Sequence, residues 1–313
     1  MRDLFTPKAG LSERSSRSRE YQRALARGLG MVFSALLLIM PVHGALVQHL
    51  DATIANSVTG SPVTAWADLS GFENDAADNR GSVTYPSLGV FASGLKGLDF
   101  GLDRNDLELF DAAGASALLD FTGAASGNGG FSVLVAFKVD AMPGFEQHVI
   151  GTRHTTDHFA ILVDEAGTIQ FQLQNMNDSS GALKVQAGDT VVVAVPFDAT
   201  TGGFQFWESL NGVMNTGTQA VRTYGHGENL LLGEARPQSS ADLYLRGLVG
   251  EVKVYNHVLS NETFINERNA MAEKWADIVA PIAVNWRVVP ANTNYPTDDV
   301  IMAAVSLGDN GYA

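Results

Sequence analysis

Alternating apolar and polar positions dominate the middle of the chain. Residues 131–139 (FSVLVAFKV) and 168–174 (TIQFQLQ) have a period of two. Because successive side chains of a strand point to opposite faces, this pattern predicts strands, and the glutamines of the second segment predict one wet face. Pro196 has no N–H to donate, so it predicts a bulge or a sheet edge. Further strands are predicted at 158–164, 189–198, 204–209, 229–235 and 244–256.

A helical period appears after these strands. It begins after Ser260, which can cap the first turn, and ends near Ala276, with Phe264, Met271 and Trp275 on one face. At least seven strands followed by one helix predict an all-β fold class, a two-sheet antiparallel sandwich with a short C-terminal helix packed on it.

The N-terminus is basic and then apolar. Five arginines between Arg14 and Arg27 precede the apolar run at 30–40 (GMVFSALLLIM). This order is typical of a secretory signal peptide, which we assign to residues 1–44, and the run is shorter than the roughly 20 residues that cross a bilayer as a helix. The alternative is an uncleaved anchor. We expect a secreted or cell-surface protein with a sandwich at 45–278, and with 279–313 as a linker or the start of a further, incomplete domain.

Charge and cysteine content exclude several classes of partner and site. The chain contains no cysteine, which removes thiol chemistry and thiolate metal sites. Its net charge is -14, and removing residues 1–44, with seven basic and three acidic side chains, makes it -14 - 4 = -18. Such a surface repels nucleic acid and anionic membranes. The surplus of carboxylates fits a cation-rich exterior or bound calcium, and the alternative is that it serves solubility alone.

Two segments resemble a known family. WADLSGFENDA at 66–76 is similar to the signature that opens many bacterial laminin G-like (LamG) domains, and GEVKVYNHVLSNETF at 250–264 resembles their closing strand, turn and helix. These domains are part of the concanavalin A-like lectin and glucanase superfamily. The resemblance covers about residues 46–276 and implies a jelly roll whose members bind glycans, bind proteins or accompany enzymes.

The first of these segments is a candidate calcium site. Calcium takes six to eight oxygen ligands, and carboxylates and amides lie close together here. The candidate ligands are Asp68, Asn74, Asp75 and Asp78. The structural alternative is that Asp68 and Ser70 cap the turn at Gly71 while Asn74 and Asp75 bond to backbone groups, with Trp66 filling the core.

Glycan binding requires exposed rings, on which sugar C–H groups stack. The candidates for a ligand rim are Phe206, Trp207, Tyr224 and His226. Phe206 and Trp207 are neighbours in one strand, so one of them faces away from the core. The alternative places Trp207 in the core and Phe206 beneath a loop.

Catalytic motifs are not recognisable in the sequence. The paired carboxylates of related glucanases are missing, and Asp106 and Glu108 fit a solvated strand face. We therefore expect a non-catalytic, carbohydrate-binding module whose partner is a polysaccharide or glycoconjugate, with Ca²⁺ as the one cofactor to consider. The alternatives are a structural or adhesive segment that contacts extracellular protein, and a polysaccharide-active enzyme with an unrecognised motif.

Overall fold

The fold is a jelly-roll sandwich of two antiparallel sheets with one helix. The structure is a computed structural model. It describes residues 45–85, 90–101, 105–109, 129–142, 144–152, 159–173, 176–179, 184–210, 212, 214–218, 230–234 and 243–276. The predicted signal peptide and the whole of the predicted segment at 279–313 lie outside these residues. Within the described part of the chain, no helix is long and apolar enough to span a membrane.

Sixteen strands and one helix, α1, make up the described elements. The strands are β1 Leu46–Asp51, β2 Val58–Gly60, β3 Val63–Trp66, β4 Ala76–Arg80, β5 Leu98–Asp99, β6 Asp106–Leu109, β7 Gly130–Val139, β8 Gln147–Thr152, β9 Phe159–Val163, β10 Ile169–Leu173, β11 Met176–Ser179, β12 Thr190–Asp198, β13 Gly203–Glu208, β14 Met214–Thr218, β15 Leu230–Leu232 and β16 Gly247–Tyr255. Helix α1 spans Asn261–Trp275. The predicted strands and helix are confirmed.

The strands form two sheets. The seven-stranded sheet has the order β1-β16-β7-β12-β13-β14, with β5 also paired to β16, and the nine-stranded sheet has the order β11-β10-β9-β8-β15-β6-β4-β3-β2. Every ladder is antiparallel; in the first sheet β16 lies between β1 and β7, and Leu46 pairs with Tyr255. The first and last strands of the sandwich are therefore neighbours.

Two apolar layers stabilise this arrangement. The larger lies between the sheets and takes alternate residues of the central strands, such as Phe131, Val133 and Val135 of β7. The smaller lies between the seven-stranded sheet and α1, where Leu134 and Ala136 of β7 meet the helix. Both faces of β7 are therefore buried. Ser260 caps α1 by accepting a hydrogen bond from the Thr263 N–H, as predicted.

Three positions differ from the sequence-based predictions. Pro196 lies in the central strand β12, neither at an edge nor at a recorded bulge. Gln172 is only 3% exposed, so the second face of β10 is not wet throughout. Asp106 is fully buried, whereas a solvated strand face was predicted there. In each case the neighbouring strand or segment, which alternation does not reveal, decides the environment.

Candidate functional site

The predicted calcium ligands belong to a tightly hydrogen-bonded turn, residues 67–75, here called the Asp68 loop. Asp68 Oδ1 accepts hydrogen bonds from the backbone N–H groups of His49 (2.7 Å) and Ser70 (2.9 Å). Oδ2 accepts from Ser70 Oγ (2.6 Å) and from the Asn74 N–H (3.0 Å). Asp75 Oδ1 accepts from the Asp68 N–H at 2.8 Å. One carboxylate thus holds the whole turn and ties it to β1.

Asn74 also has a structural role. Its side chain is fully buried, and its Nδ2 donates a hydrogen bond to the Val47 backbone carbonyl at 2.6 Å. The backbone carbonyl of Asn74 accepts a hydrogen bond from Gln48 Nε2. The structure therefore brings Asp68, Asn74 and Asp75 together, as the sequence predicted, and bonds them to backbone groups. The backbone of Asp78 lies in β4, and its side chain is outside the described part. Calcium at this loop stays a prediction of the sequence.

Replacing Asp68 with alanine is expected to lower the free energy of unfolding by about 2 kcal/mol, because four donors lose a charged acceptor. The measurement is urea unfolding followed by tryptophan fluorescence. Asp75→Ala is the matched control: it removes one described hydrogen bond from an exposed carboxylate and should cost less than half as much. Equal effects of the two variants would contradict the central role of Asp68.

The predicted aromatic rim is not exposed at its two described positions. Phe206 is fully buried between the sheets. Trp207 is 7% exposed and lies beneath α1, with the Arg268 guanidinium 5.0 Å from its ring. The strand alternates as predicted, but helix α1 covers the face on which Trp207 lies. Tyr224 and His226 lie outside the described residues. Neither Phe206 nor Trp207 therefore offers a ring face to a ligand.

A buried charged network joins β1, β16 and α1. His49, Asp51 and Glu251 bring three potential metal-ligand atoms within 4.8 Å of one another. The Lys274 ammonium lies among them, 2.6 Å from Asp51 Oδ2 and 2.7 Å from Glu251 Oε2. Trp275 Nε1 donates to the same Glu251 oxygen at 2.7 Å. The protein's own lysine supplies the positive charge that a metal would bring.

Glu251 is ionised in this network. Burial alone would raise its pKa, but hydrogen bonds from His49, Lys274 and Trp275, together with the Lys274 charge, outweigh burial and lower the pKa to about 2. The network therefore joins the helix to the sheet as a structural ion cluster, because its acceptors are already engaged.

A second group of charged and aromatic side chains lies on the outer face of the nine-stranded sheet. It consists of Phe145, Glu146, His148, Tyr244 and Arg246, and is called the Arg246 cluster. Leu245 belongs to the core between the sheets, so its neighbours Tyr244 and Arg246 point to the opposite side. His148 pairs with Leu162 of β9 and bridges to Tyr244, which places these residues side by side.

The Arg246 guanidinium lies between two rings. Its central carbon is 4.6 Å from the Phe145 ring centroid and 5.2 Å from that of Tyr244, and Nη2 donates to the Tyr244 hydroxyl at 2.9 Å. Among the described residues, no carboxylate forms an ion pair with Arg246. Arg246 and Phe145 are half-buried. The stacking fixes a cation at the surface without neutralising it.

His148 completes the cluster from below. Its side chain is fully buried, and its Nε2 lies 2.6 Å from Glu146 Oε1. In the described part of the chain, His148 Nδ1 and Arg246 Nε are buried atoms without a hydrogen-bond partner. We did not predict this cluster from the sequence. The signal was the polar, apolar, polar order of Tyr244, Leu245 and Arg246 in a segment otherwise interpreted as core strand.

The comparisons with known proteins agree with the sandwich. The family model Laminin_G_3, described as concanavalin A-like lectin/glucanases superfamily, matches residues 111–263, which confirms the resemblance predicted from the sequence. No curated protein sequence matches the chain.

Several solved structures match this chain at low sequence identity. Domain 4 of the extracellular GH43 arabinanase AbnA from Geobacillus stearothermophilus, in complex with arabinotriose, has a TM-score of 0.50 at 14% identity and covers 72% of this chain and 98% of that one. The CBM40 of Ruminococcus gnavus IT-sialidase has a TM-score of 0.44 at 18% identity, covering 55% and 96%. Trypanosoma rangeli sialidase, in complex with sialic acid, has a TM-score of 0.47 at 12% identity, covering 73% and 33%.

Proposed function

We propose that this chain is an exported, non-catalytic module that binds carbohydrate through the outer face of its nine-stranded sheet. The observation that carries the proposal is the Arg246 guanidinium, held between Phe145 and Tyr244 without a described ion-pair partner. It is fixed in place before any ligand arrives.

The chemistry of the cluster suits a glycan. A guanidinium presents several N–H donors in one plane, which match hydroxyl or carboxylate oxygens of a sugar. The partly exposed Phe145 ring beside it offers an apolar surface to sugar C–H groups. Because the stacked rings already order Arg246, a ligand loses little additional side-chain entropy on binding.

The structural comparison supports the same class of ligand. The arabinanase domain is similar in fold to this chain and is in complex with arabinotriose. At 14% identity the likeness concerns the fold alone. The class of sugar and the residues that contact it are therefore inferred from the side chains of this chain itself.

Glycan retention tests the proposal. The full chain is screened on a glycan array, with calcium and with chelator, and the best-bound glycan is titrated. Arg246→Ala is expected to weaken binding about tenfold, or about 1.4 kcal/mol. Phe72→Ala is the matched control, since Phe72 is an exposed ring (39%) in the Asp68 loop, and it should bind normally. No glycan bound in either condition, or unchanged affinity of a folded Arg246→Ala variant, would overturn the proposal.

One observation favours an adhesive segment as the second candidate. Leu69 and Phe72 are large apolar side chains, 40% and 39% exposed, and both belong to the Asp68 loop. Exposed apolar groups close together are typical of protein contacts. If Phe72→Ala abolished attachment to extracellular protein while the chain bound no glycan, the adhesive function would replace the carbohydrate-binding one.

A further inference from the structure

A cavity of about 320 Å³ lies on the outer face of the seven-stranded sheet. Ala194 and Trp207 lie beneath α1 on that face, so Pro196 and Gln205, two positions away along the same strands, point in the same direction. Thr216 of β14 pairs with Gln205 and extends the floor, while Leu259 and Asn261 form the wall next to the helix. This is the opposite side of the sandwich from the Arg246 cluster.

This cavity lies where the β12–β13 ladder is interrupted, at Pro196. The β12–β13 ladder pairs Ala194 with Trp207 and Phe197 with Phe204, and no pair is recorded at Pro196, which has no N–H to donate. Gly217, the partner of Phe204 in β14, adds no side chain to the lining: a Cβ atom there would point to the core and come within 2.6 Å of the Phe204 ring. The missing N–H of Pro196 thus coincides with a gap in the β12–β13 ladder.

A carboxylate of fixed orientation stands at the cavity. Asp198 Oδ1 accepts hydrogen bonds from the Thr200 N–H (2.8 Å) and the Thr201 N–H (3.3 Å), and Oδ2 accepts from Thr201 Oγ1 (2.8 Å). Partial burial raises the pKa of Asp198, but these hydrogen bonds outweigh it and hold the pKa below its usual value. At neutral pH the group is an ionised acceptor with lone pairs left for a hydroxyl donor.

The remaining lining combines neutral polar and apolar groups. In the described part of the chain, the side chains of Gln205, Thr216 and Asn261 have no recorded hydrogen bond, so their donors and acceptors are available. Pro196, together with Val258 and Leu259, supplies apolar surface. No lysine or arginine is among the described lining residues.

We propose that this cavity is a second carbohydrate subsite, selective for a neutral sugar. Sugar hydroxyls would donate to Asp198 and exchange hydrogen bonds with Gln205 and Asn261, while C–H groups pack on Pro196. A carboxylated sugar would meet the Asp198 charge without a compensating cation, which opposes its binding. The volume lies at the lower end of small-molecule sites, which fits one or two sugar rings. With the Arg246 cluster on the other face, the module would hold two glycan segments at once.

NMR of the full chain labelled with ¹³C-methyl threonine tests the subsite directly. Thr201 and Thr216 line the cavity, and Thr64, an exposed residue of the nine-stranded sheet, is the reference signal. The probes are arabinotriose and maltotriose, with trigalacturonate as the anionic match. We expect at least one neutral trisaccharide to shift the Thr201 and Thr216 signals and leave Thr64 unchanged. Gln205→Ala should weaken this binding about fivefold to tenfold.

The Arg246→Ala variant separates this inference from the proposed function. The cavity lies on the other face, so Arg246→Ala should leave the Thr216 shift intact while it weakens retention at the Arg246 cluster. If neither neutral trisaccharide moves Thr201 and Thr216, if trigalacturonate binds equally well, or if Gln205→Ala changes nothing, the second subsite is wrong. Glycan retention through Arg246 would still stand in each of these cases.

Discussion

Glu251→Ala is expected to destabilise the sandwich by about 3–5 kcal/mol, the range for breaking a buried ion pair from one side. The variant removes one of the two described carboxylate partners of Lys274 and leaves Asp51. It removes the acceptor of the Trp275 indole N–H. It also removes the partner of His49 Nε2, which lies 2.9 Å from Glu251 Oε1. Urea unfolding at pH 7 measures the change. Glu267→Ala is the matched control, because Glu267 is a more exposed carboxylate that bonds to Lys253 on the same helix–sheet border.

The same residue gives a pH dependence of known sign. The pKa of Glu251 in the folded protein is about 2, below its ordinary value of 4.5. Its contribution to the free energy of unfolding is therefore fully present above pH 4.5 and is lost as the pH falls towards 2. At 1.36 kcal/mol per pKa unit the loss is about 3 kcal/mol. Glu251→Gln should remove most of this acid dependence. A Glu251→Gln curve parallel to the wild-type curve between pH 5 and 2 would contradict the assigned role.

Trp275→Ala is expected to cost about 3–5 kcal/mol, the usual range for removing a fully buried aromatic side chain. The indole and the Phe91 ring pack edge to face with their centroids 4.7 Å apart. The indole also packs on Gly250, where a Cβ atom would approach it within 2.5 Å. Differential scanning calorimetry measures the loss of stability. Ile265→Ala, on a more exposed part of α1, should cost much less.

The indole also makes a polar contact that a second variant isolates. Trp275→Phe keeps most of the packing and removes the hydrogen bond to Glu251, so it should cost about 1.5–3 kcal/mol. Equal losses for Trp275→Ala and Ile265→Ala would mean that α1 does not depend on this anchor.

Local alternation was sufficient for the central strands but not for their surroundings. Residues 131–139 show a clear period of two, and β7 occupies almost that range. The short strands near the N-terminus, such as β2 and β5, have two or three residues each and no detectable period. Their pairing depends on partners far away in the chain. The sequence predicts solvated positions for Asp106 and Gln172 because alternation does not reveal the neighbouring strand or segment that buries them.

The candidate sites show a similar division. The Asp68 loop was predicted because all its members lie within ten residues of each other, and the structure brings them together. The Arg246 cluster combines Phe145 and His148 with residues about a hundred positions later, so no local pattern contains it. Helix α1, more than fifty residues downstream, covers the strand face of Trp207, so no local pattern decides between its exposed and buried alternatives.

The position of β16 has a consequence for how the molecule acquires its structure. The β16 strand joins β1 to β7, so the seven-stranded sheet cannot close before nearly the whole sandwich has been synthesised. Pairings between such distant segments favour slow folding. Until β16 arrives, the valine-rich edge of β7 is an unpaired template for other chains. Aggregation should therefore compete with folding most strongly during that interval, and a nascent chain truncated before Gly247 should need a chaperone to remain soluble.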